Sequence, residues 1–470
     1  MSDHYKLLIG GQWIEGDDEP FNVVNPASLD IVATCANATR DQLDAAVDAA
    51  GRAFSSWQHT SQEELKSILN RIADEIMDNR DEIARLIVAE QGKPLALAIG
   101  EVEGGVAWMR YTAAQDIPVD VAEESDTKRI EIHHKPLGVV ASITPWNWPF
   151  MIAVWHIAPA LRAGNTVISK PSGLTPLSTI KLVEIINNHV PAGVINVITG
   201  ERGLGSGITA HTGIQKIVFT GSTETGQSVM RNSAENIKRL TLELGGNDAA
   251  IVLPGTDIAK VAPAIFGAAF LNMGQTCGAL KRLYVHESVY DDMCSALVAL
   301  AAEQVVGNGM TEGVTFGPVQ NKDQLDLVKE LVDDAVAHGA SVLTGGKVLD
   351  GNGYFYPPTI VADIANEIRL VQEEQFGPAL PVVRYTDIED AVTMANAVNE
   401  GLDGSVWGPD VAEAAAIASR LECGTAFVNT HAEIRPDIPM GGCKMSGFGV
   451  EFGKEGLLEF TSLQVLHVNK

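Results

Sequence analysis

A chain of 470 residues exceeds what one hydrophobic core fills and calls for two or three domains. It is 46% hydrophobic and 20% charged, an ordinary globular composition, but 60 Asp and Glu against 33 Lys and Arg leave a formal net charge of −27. That field repels phosphate backbones and argues against nucleic acid as a partner, and no apolar run reaches the ~18 to 20 residues that span a bilayer.

The opening "MSDHYKLLIGGQWIEGDDEP" has neither a basic n-region nor a signal-like apolar stretch. "LLIGGQWI" reads as a hairpin turning at Gly10 and Gly11. Helical spacing follows in "DQLDAAVDAAGRAFSSW", then in one long helix from 61 to 91, opened by a capping box of Ser61 and Glu64 and closed by Gly92 and Pro94. A further helix is expected over about 95–114. "DIPVDVAEESDTKRIEIHHKP" alternates without helical period and reads as a strand excursion.

From residue 138 apolar strands alternate with helices. "GVVASITPWNWP", "NTVISKP", "GVINVITG", "KIVFTGS" and "RLTLELGG" are buried strands ending in turns, the pattern of a parallel doubly wound sheet. Ligands of such sheets sit beyond the carboxyl ends of the strands, where "TPWNWP", "KPSG" and "TGSTETG" fall. A second α/β region runs from about Cys277 to residue 440. The five cysteines (Cys35, Cys277, Cys294, Cys423, Cys443) lack CxxC spacing and read as free thiols of a reducing cytoplasm. No histidine pair has ligand spacing, so no metal is expected.

Cys277 stands in "GQTCGALKR" between small and polar neighbours that leave room for an approaching group. Glu243, in "LELGG", is a carboxylate between an apolar strand and a glycine turn, where partial burial would raise its pKa toward that of a general base. The two lie 34 residues apart, enough for a helix and a return loop to bring them together. Asn147, in "PWNWP", could stabilise an oxyanion beside a nucleophile. Gly221 and Gly226 bracket a strand-turn-helix start whose N–H groups could hold a pyrophosphate. Taken singly, these features are equally a plain turn, a turn asparagine and a packed thiol.

Taken together, "TPWNWP", "ISKPSG", "VFTGSTETG", "LELGGNDAAIV", "GQTCGALKR", "EEQFGP" and "PMGGCKMSGFGVEFGKEG" resemble the aldehyde dehydrogenase superfamily in order and spacing, over nearly the whole chain, and its hydrolytic NAD(P)-dependent branch in particular. The resemblance implies Cys277 as nucleophile, Glu243 as general base, Asn147 with the Cys277 N–H as oxyanion hole, and Glu451 as a proton-relaying carboxylate. Trp146, Gly221, Ser222, Gly226 and Leu244 match positions around the dinucleotide pyrophosphate, Lys170 and Gly173 the adenosine ribose, and Glu374 and Phe376 the nicotinamide ribose and ring. Trp148, Met151, Trp155, Leu271, Arg435 and Met440 would line the substrate tunnel.

The implied fold is α/β: a Rossmann-like cofactor domain (1–114 and 138–245), a second α/β catalytic domain (246–445), and a small β oligomerisation element with the C-terminal segment (115–137 and 446–470). A homodimer or homotetramer is implied, with NAD or NADP as cofactor and a small aldehyde as substrate. Three departures from the family pattern bear on selectivity. Gly173 replaces a glutamate common in NAD-preferring members, Met440 a frequent phenylalanine, and Glu433 with Arg435 occupies the loop that shapes substrate choice. An apolar aliphatic or aromatic aldehyde is expected. The alternatives are a semialdehyde whose carboxylate meets Arg435 or Arg110, unless those arginines serve surface ion pairs, and a non-catalytic protein on the same fold.

Overall fold

The computed structural model describes residues 3–200 and 202–470, without the side chain of Arg202. Its centre is an eight-stranded sheet. Five strands are parallel and adjacent: Arg239–Glu243, Lys216–Thr220, Val139–Ile143, Thr166–Lys170 and Ile195–Val197. They are the apolar runs of the sequence, almost wholly buried because helices cover both faces. Antiparallel strands extend both edges. The hairpin Leu7–Ile9 and Gln12–Ile14 turns on Gly10 and Gly11, both at positive φ (58° and 79°), and the short strand Gly447–Phe448 caps the other edge beside Glu243.

A second, seven-stranded sheet holds Ser341–Thr344, Thr359–Ala362, Ala379–Tyr385, Leu280–His286, Asp248–Val252, Asp403–Trp407 and Thr425–Val428 in that order, all parallel except the first. Apolar clusters fill both of its faces. A third sheet, of Val119–Glu124, Lys128–Pro136 and Thr461–Asn469, is antiparallel and open to solvent. Within 446–470 only the last of these strands joins it. Gly447–Phe448 pairs with the first sheet, and Leu457 and Phe460 pack into that sheet's core.

Two helical readings change. The expected helix 61–91 is two, Gln62–Asp78 and Arg80–Gln91, because Asn79 (φ −102°, ψ 11°) turns its amide back to the Glu75 carbonyl at 2.8 Å. Ser61 does cap by accepting from the Glu64 N–H, but the Glu64 carboxylate binds Arg71 instead of returning. The reciprocal box forms at Thr39 and Gln42, opening Arg40–Trp57. The helix Leu95–Ala114 stands where the spacing placed it, and Gly92 ends the preceding one in the left-handed region.

Candidate active site

The carboxyl ends of the first sheet's parallel strands meet the amino ends of Asp248–Val252, Leu280–His286 and Asp403–Trp407 in the second, and the polar residues of the sequence motifs gather there. Glu243 ends its strand, paired on one side with Thr220 and on the other with Gly447. It is 6% exposed, and both carboxylate oxygens are buried without a hydrogen-bond partner among the described residues. Burial, and then the charges of Glu451 and Asp403, push its pKa well above the usual carboxylate range. A buried acid that donates to nothing and accepts from nothing is poised to take a proton once water or substrate enters.

Cys277 is carried by an unusual backbone path. Asn272, Met273 and Gly274 all have positive φ (51°, 57° and 73°), which swings the chain out of the helix Ile258–Ala269 and into the strand Leu280–His286. Gly274 is required there, because a Cβ would lie 2.3 Å from the Gly377 carbonyl oxygen. Hydrogen bonds over-determine the loop: Asn272 Nδ2 to Asn147 O (3.0 Å), Gln275 Nε2 to Asn272 O (3.1 Å), and Gln320 N to Gln275 Oε1 (2.9 Å). The Cys277 thiol is free and partly exposed. Desolvation pushes its pKa up to about 12; Lys281 opposes the rise, and Asp403, Asp248 and Glu243 add to it.

Asn147 reaches the same turn, its Nδ2 donating to Gln275 O at 3.0 Å while its Oδ1 stays unpartnered. Next to it, Trp148 Nε1 donates to Thr276 Oγ1 at 2.9 Å. A buried pair fixes Asn147 from behind. Lys93 Nζ binds Glu101 Oε2 (2.6 Å) and the Asn147 carbonyl (2.9 Å), while Glu101 Oε1 accepts the N–H groups of Phe150 and Met151. Glu451 approaches from the loop that pairs with Met440 and lies 3.2 Å from His156 Nε2. His156 also contacts Ser142 and Thr220 at 3.1 and 3.0 Å.

Most cofactor candidates follow the carboxyl ends of strands in the first sheet, and Glu374 and Phe376 meet them from the segment before Ala379–Tyr385 of the second. Ser222 caps the helix Thr223–Ser233 by accepting from the Thr225 N–H. Gly226 lets that helix approach the sheet, since a Cβ would lie 2.5 Å from Leu244. Gly221 does not offer a free N–H: it donates to the Glu243 carbonyl at 3.0 Å. That leaves the helix's first turn as the available anion cradle. Lys170 is 9% exposed and burial lowers its pKa to about 8. A side chain at Gly173 would meet only Phe21, at an ordinary 3.7 Å. Trp146 and Phe376 meet edge to face at 5.3 Å, and Glu374 accepts from the Gly246 N–H (3.2 Å) and from Lys281 (3.2 Å). Buried cations, a carboxylate, a helix N-terminus and paired rings form a set of groups that fits a dinucleotide.

Trp148, Met151, Trp155, Leu271 and Met440 are all partly exposed, with Trp148, Met151 and Trp155 on one helical face. Trp108 and Phe452, absent from the sequence reading, hold Trp155 at ring distances of 5.7 and 4.7 Å. Arg435 stands apart. Its guanidinium is exposed and bound in fork geometry to Asp437 at 3.0 and 2.7 Å, and Arg110 is similarly paired with Asp74 at 2.7 Å. The sequence reading also missed Lys93, His156 and Lys281. For Lys281 a signal existed, a lysine inside an apolar strand just after the cysteine.

The sequence profile of the Aldehyde dehydrogenase family matches residues 13–466. The chain is 37% identical to the phenylacetaldehyde dehydrogenase of Pseudomonas fluorescens, over 98% of this chain and 95% of that one. It is 35% identical to the NADP-linked succinate-semialdehyde dehydrogenase GabD of Escherichia coli strain K12, over 98% and 97%. Among solved structures it superimposes on 3,6-anhydro-L-galactose dehydrogenase in complex with NADP, with a TM-score of 0.96 and 33% identity over 99% and 100% of the two chains. With the site geometry, these likenesses make the protein a member of the aldehyde dehydrogenase family, an NAD(P)-dependent oxidoreductase acting on aldehydes.

Proposed function

We propose that the protein oxidises an apolar aldehyde to the free carboxylic acid through a covalent intermediate on Cys277. The observation that carries this reading is the meeting of a partly exposed thiol, a carboxamide and a buried carboxylate with unpartnered oxygens at the ends of the two sheets. The Cys277 thiolate adds to the aldehyde carbon, and the oxyanion is received by the Asn147 amide and the Cys277 N–H. Phe376 and Glu374 would hold the nicotinamide and its ribose and Trp146 the pyrophosphate, and the bound dinucleotide would supply the hydride acceptor. Glu243 then takes a proton from water as that water attacks the thioester, and Glu451 beside His156 passes the proton on.

An acid product needs a water-activating base, and Glu243 is available for it. A thioester passed to coenzyme A would not need one. Five apolar residues without a free guanidinium favour an aliphatic or aromatic substrate, since Arg435 and Arg110 are both occupied by aspartates. In our reading the open three-stranded sheet, with Val119, Leu463 and Val465 each at least half exposed, is the surface on which copies associate.

Cys277→Ala tests the mechanism. Aldehyde-dependent NAD(P)H formation falls by about a thousandfold or more while dinucleotide binding persists. Near-parental turnover would exclude the covalent route.

A further inference from the structure

Lys281 carries no role in the scheme above, yet it touches both halves of the site. It is 2% exposed and sits inside the strand Leu280–His286, where a cation is costly. An ammonium has three N–H donors, and those of Lys281 go to the Thr276 carbonyl (2.9 Å), the Cys277 carbonyl and Glu374 Oε1 (3.2 Å). One side chain therefore joins the nucleophile's own peptide to the carboxylate read as the ribose ligand.

The surroundings show what that side chain faces. Glu243 from the end of its strand in the first sheet, and Asp248 and Asp403 from the starts of two paired strands in the second, act on the thiol, with Glu451 close to Glu243 and His431 close to Asp248. Both Asp403 oxygens and Asp248 Oδ2 are buried without hydrogen-bond partners among the described residues. Among the described residues, Lys281 is the cation that opposes these carboxylates at Cys277. A neutral donor could hold the two carbonyls, but it would leave a forming thiolate without the positive charge that lowers its energy there.

We propose that Lys281 is a positioning residue for the nucleophile: it clamps the Thr276–Cys277 turn, supplies the positive field that favours the thiolate, and is restrained in this by Glu374. The proposal rests on the reading of Cys277 as nucleophile. It adds that Glu374, which accepts from the Gly246 N–H and from Lys281, would also accept from the ribose hydroxyls, so that ribose binding would loosen its hold on the ammonium.

The experiment is alkylation of Cys277 by iodoacetamide in the dinucleotide-free enzyme, followed by peptide mass spectrometry across pH. Lys281→Met should raise the midpoint of the rate–pH curve by about one unit and slow alkylation about tenfold below it, and Lys281→Arg should restore the parental midpoint. Glu374→Gln should move the midpoint down. Uniform slowing of Lys281→Met at every pH with an unchanged midpoint would mean a structural clamp only and overturns the proposal. If Lys281→Met shows no cooperative melt, the other two variants decide: a raised midpoint in Lys281→Arg, or no shift in Glu374→Gln, overturns it. The nucleophile assignment fails separately, through retained turnover in Cys277→Ala, and leaves these midpoints readable.

Discussion

Lys93 reaches 54 residues along the chain to hold the Asn147 carbonyl at 2.9 Å while its ammonium is neutralised by Glu101 at 2.6 Å, both side chains fully buried. The expected oxyanion donor is thus fixed by an ion pair beneath it, with Trp148 covering the ammonium at 3.6 Å. Lys93→Met leaves Glu101 buried and unpaired, which costs about 3–5 kcal/mol of folding free energy. Where the variant remains folded, kcat/KM for aldehyde should fall about tenfold to a hundredfold as the amide loses its orientation. Urea unfolding and NAD(P)H formation measure the two effects.

Glu243→Gln removes the base and keeps the shape. A burst of NAD(P)H followed by slow turnover is expected, because acylation precedes the need for the base. Equal loss of burst and steady state would place Glu243 in the first half-reaction.

The same variant has a stability signature. Since burial raises the Glu243 pKa above its ordinary 4.5, the native state binds more protons than the unfolded chain between those values. Stability from this group is therefore full below about pH 4.5 and declines as pH rises toward the native pKa. Glu243→Gln should melt about 1–3 °C higher than the parent at neutral pH, with the gap closing in acid. Paired calorimetric scans across pH check the sign.

Substrate class is read by comparing kcat/KM for benzaldehyde, hexanal and succinic semialdehyde in the parent and in Arg435→Ala. The apolar aldehydes should lead by about tenfold or more, and Arg435→Ala should leave the order unchanged. A semialdehyde preference that disappears in Arg435→Ala would mean that Arg435 leaves Asp437 to grip the substrate carboxylate.

We propose that cofactor choice turns on Gly173, where an added side chain meets only the edge of Phe21. A carboxylate placed there repels a 2′-phosphate and accepts from a 2′-hydroxyl, so Gly173→Glu should lower kcat/KM for NADP relative to NAD by about tenfold. The parent should accept both dinucleotides. A parental preference for NAD of about a thousandfold would assign the choice to another position.

The strands were legible wherever burial on both faces left a continuous apolar run cut by a turn, as in 139–143, 166–170, 216–220 and 239–243. Glu243 and Cys277 stood out because a polar group interrupts such a run at its end. The break at Asn79 was hidden, since the apolar period continues across it and only the side-chain bond to Glu75 betrays the stop. Lys93 and His156 were hidden for another reason. Each acts through a partner set by tertiary packing, and nothing local separates a lysine aimed at a carbonyl from one aimed at water.

The strand Thr461–Asn469 pairs along its whole length with Lys128–Pro136, in register from Thr461 opposite Pro136 to Asn469 opposite Lys128. On a ribosome the two halves of that ladder are made far apart in time, roughly 15 to 65 s at ordinary elongation rates. Throughout that interval Lys128–Pro136 has one bare edge, able to pair with any nascent neighbour on the same message. Its Lys128, Arg129, Glu131 and Lys135 put charges along that edge, and charged side chains discourage premature pairing. Replacing them with apolar residues would spare the finished enzyme's chemistry and still lower the yield of native protein during synthesis.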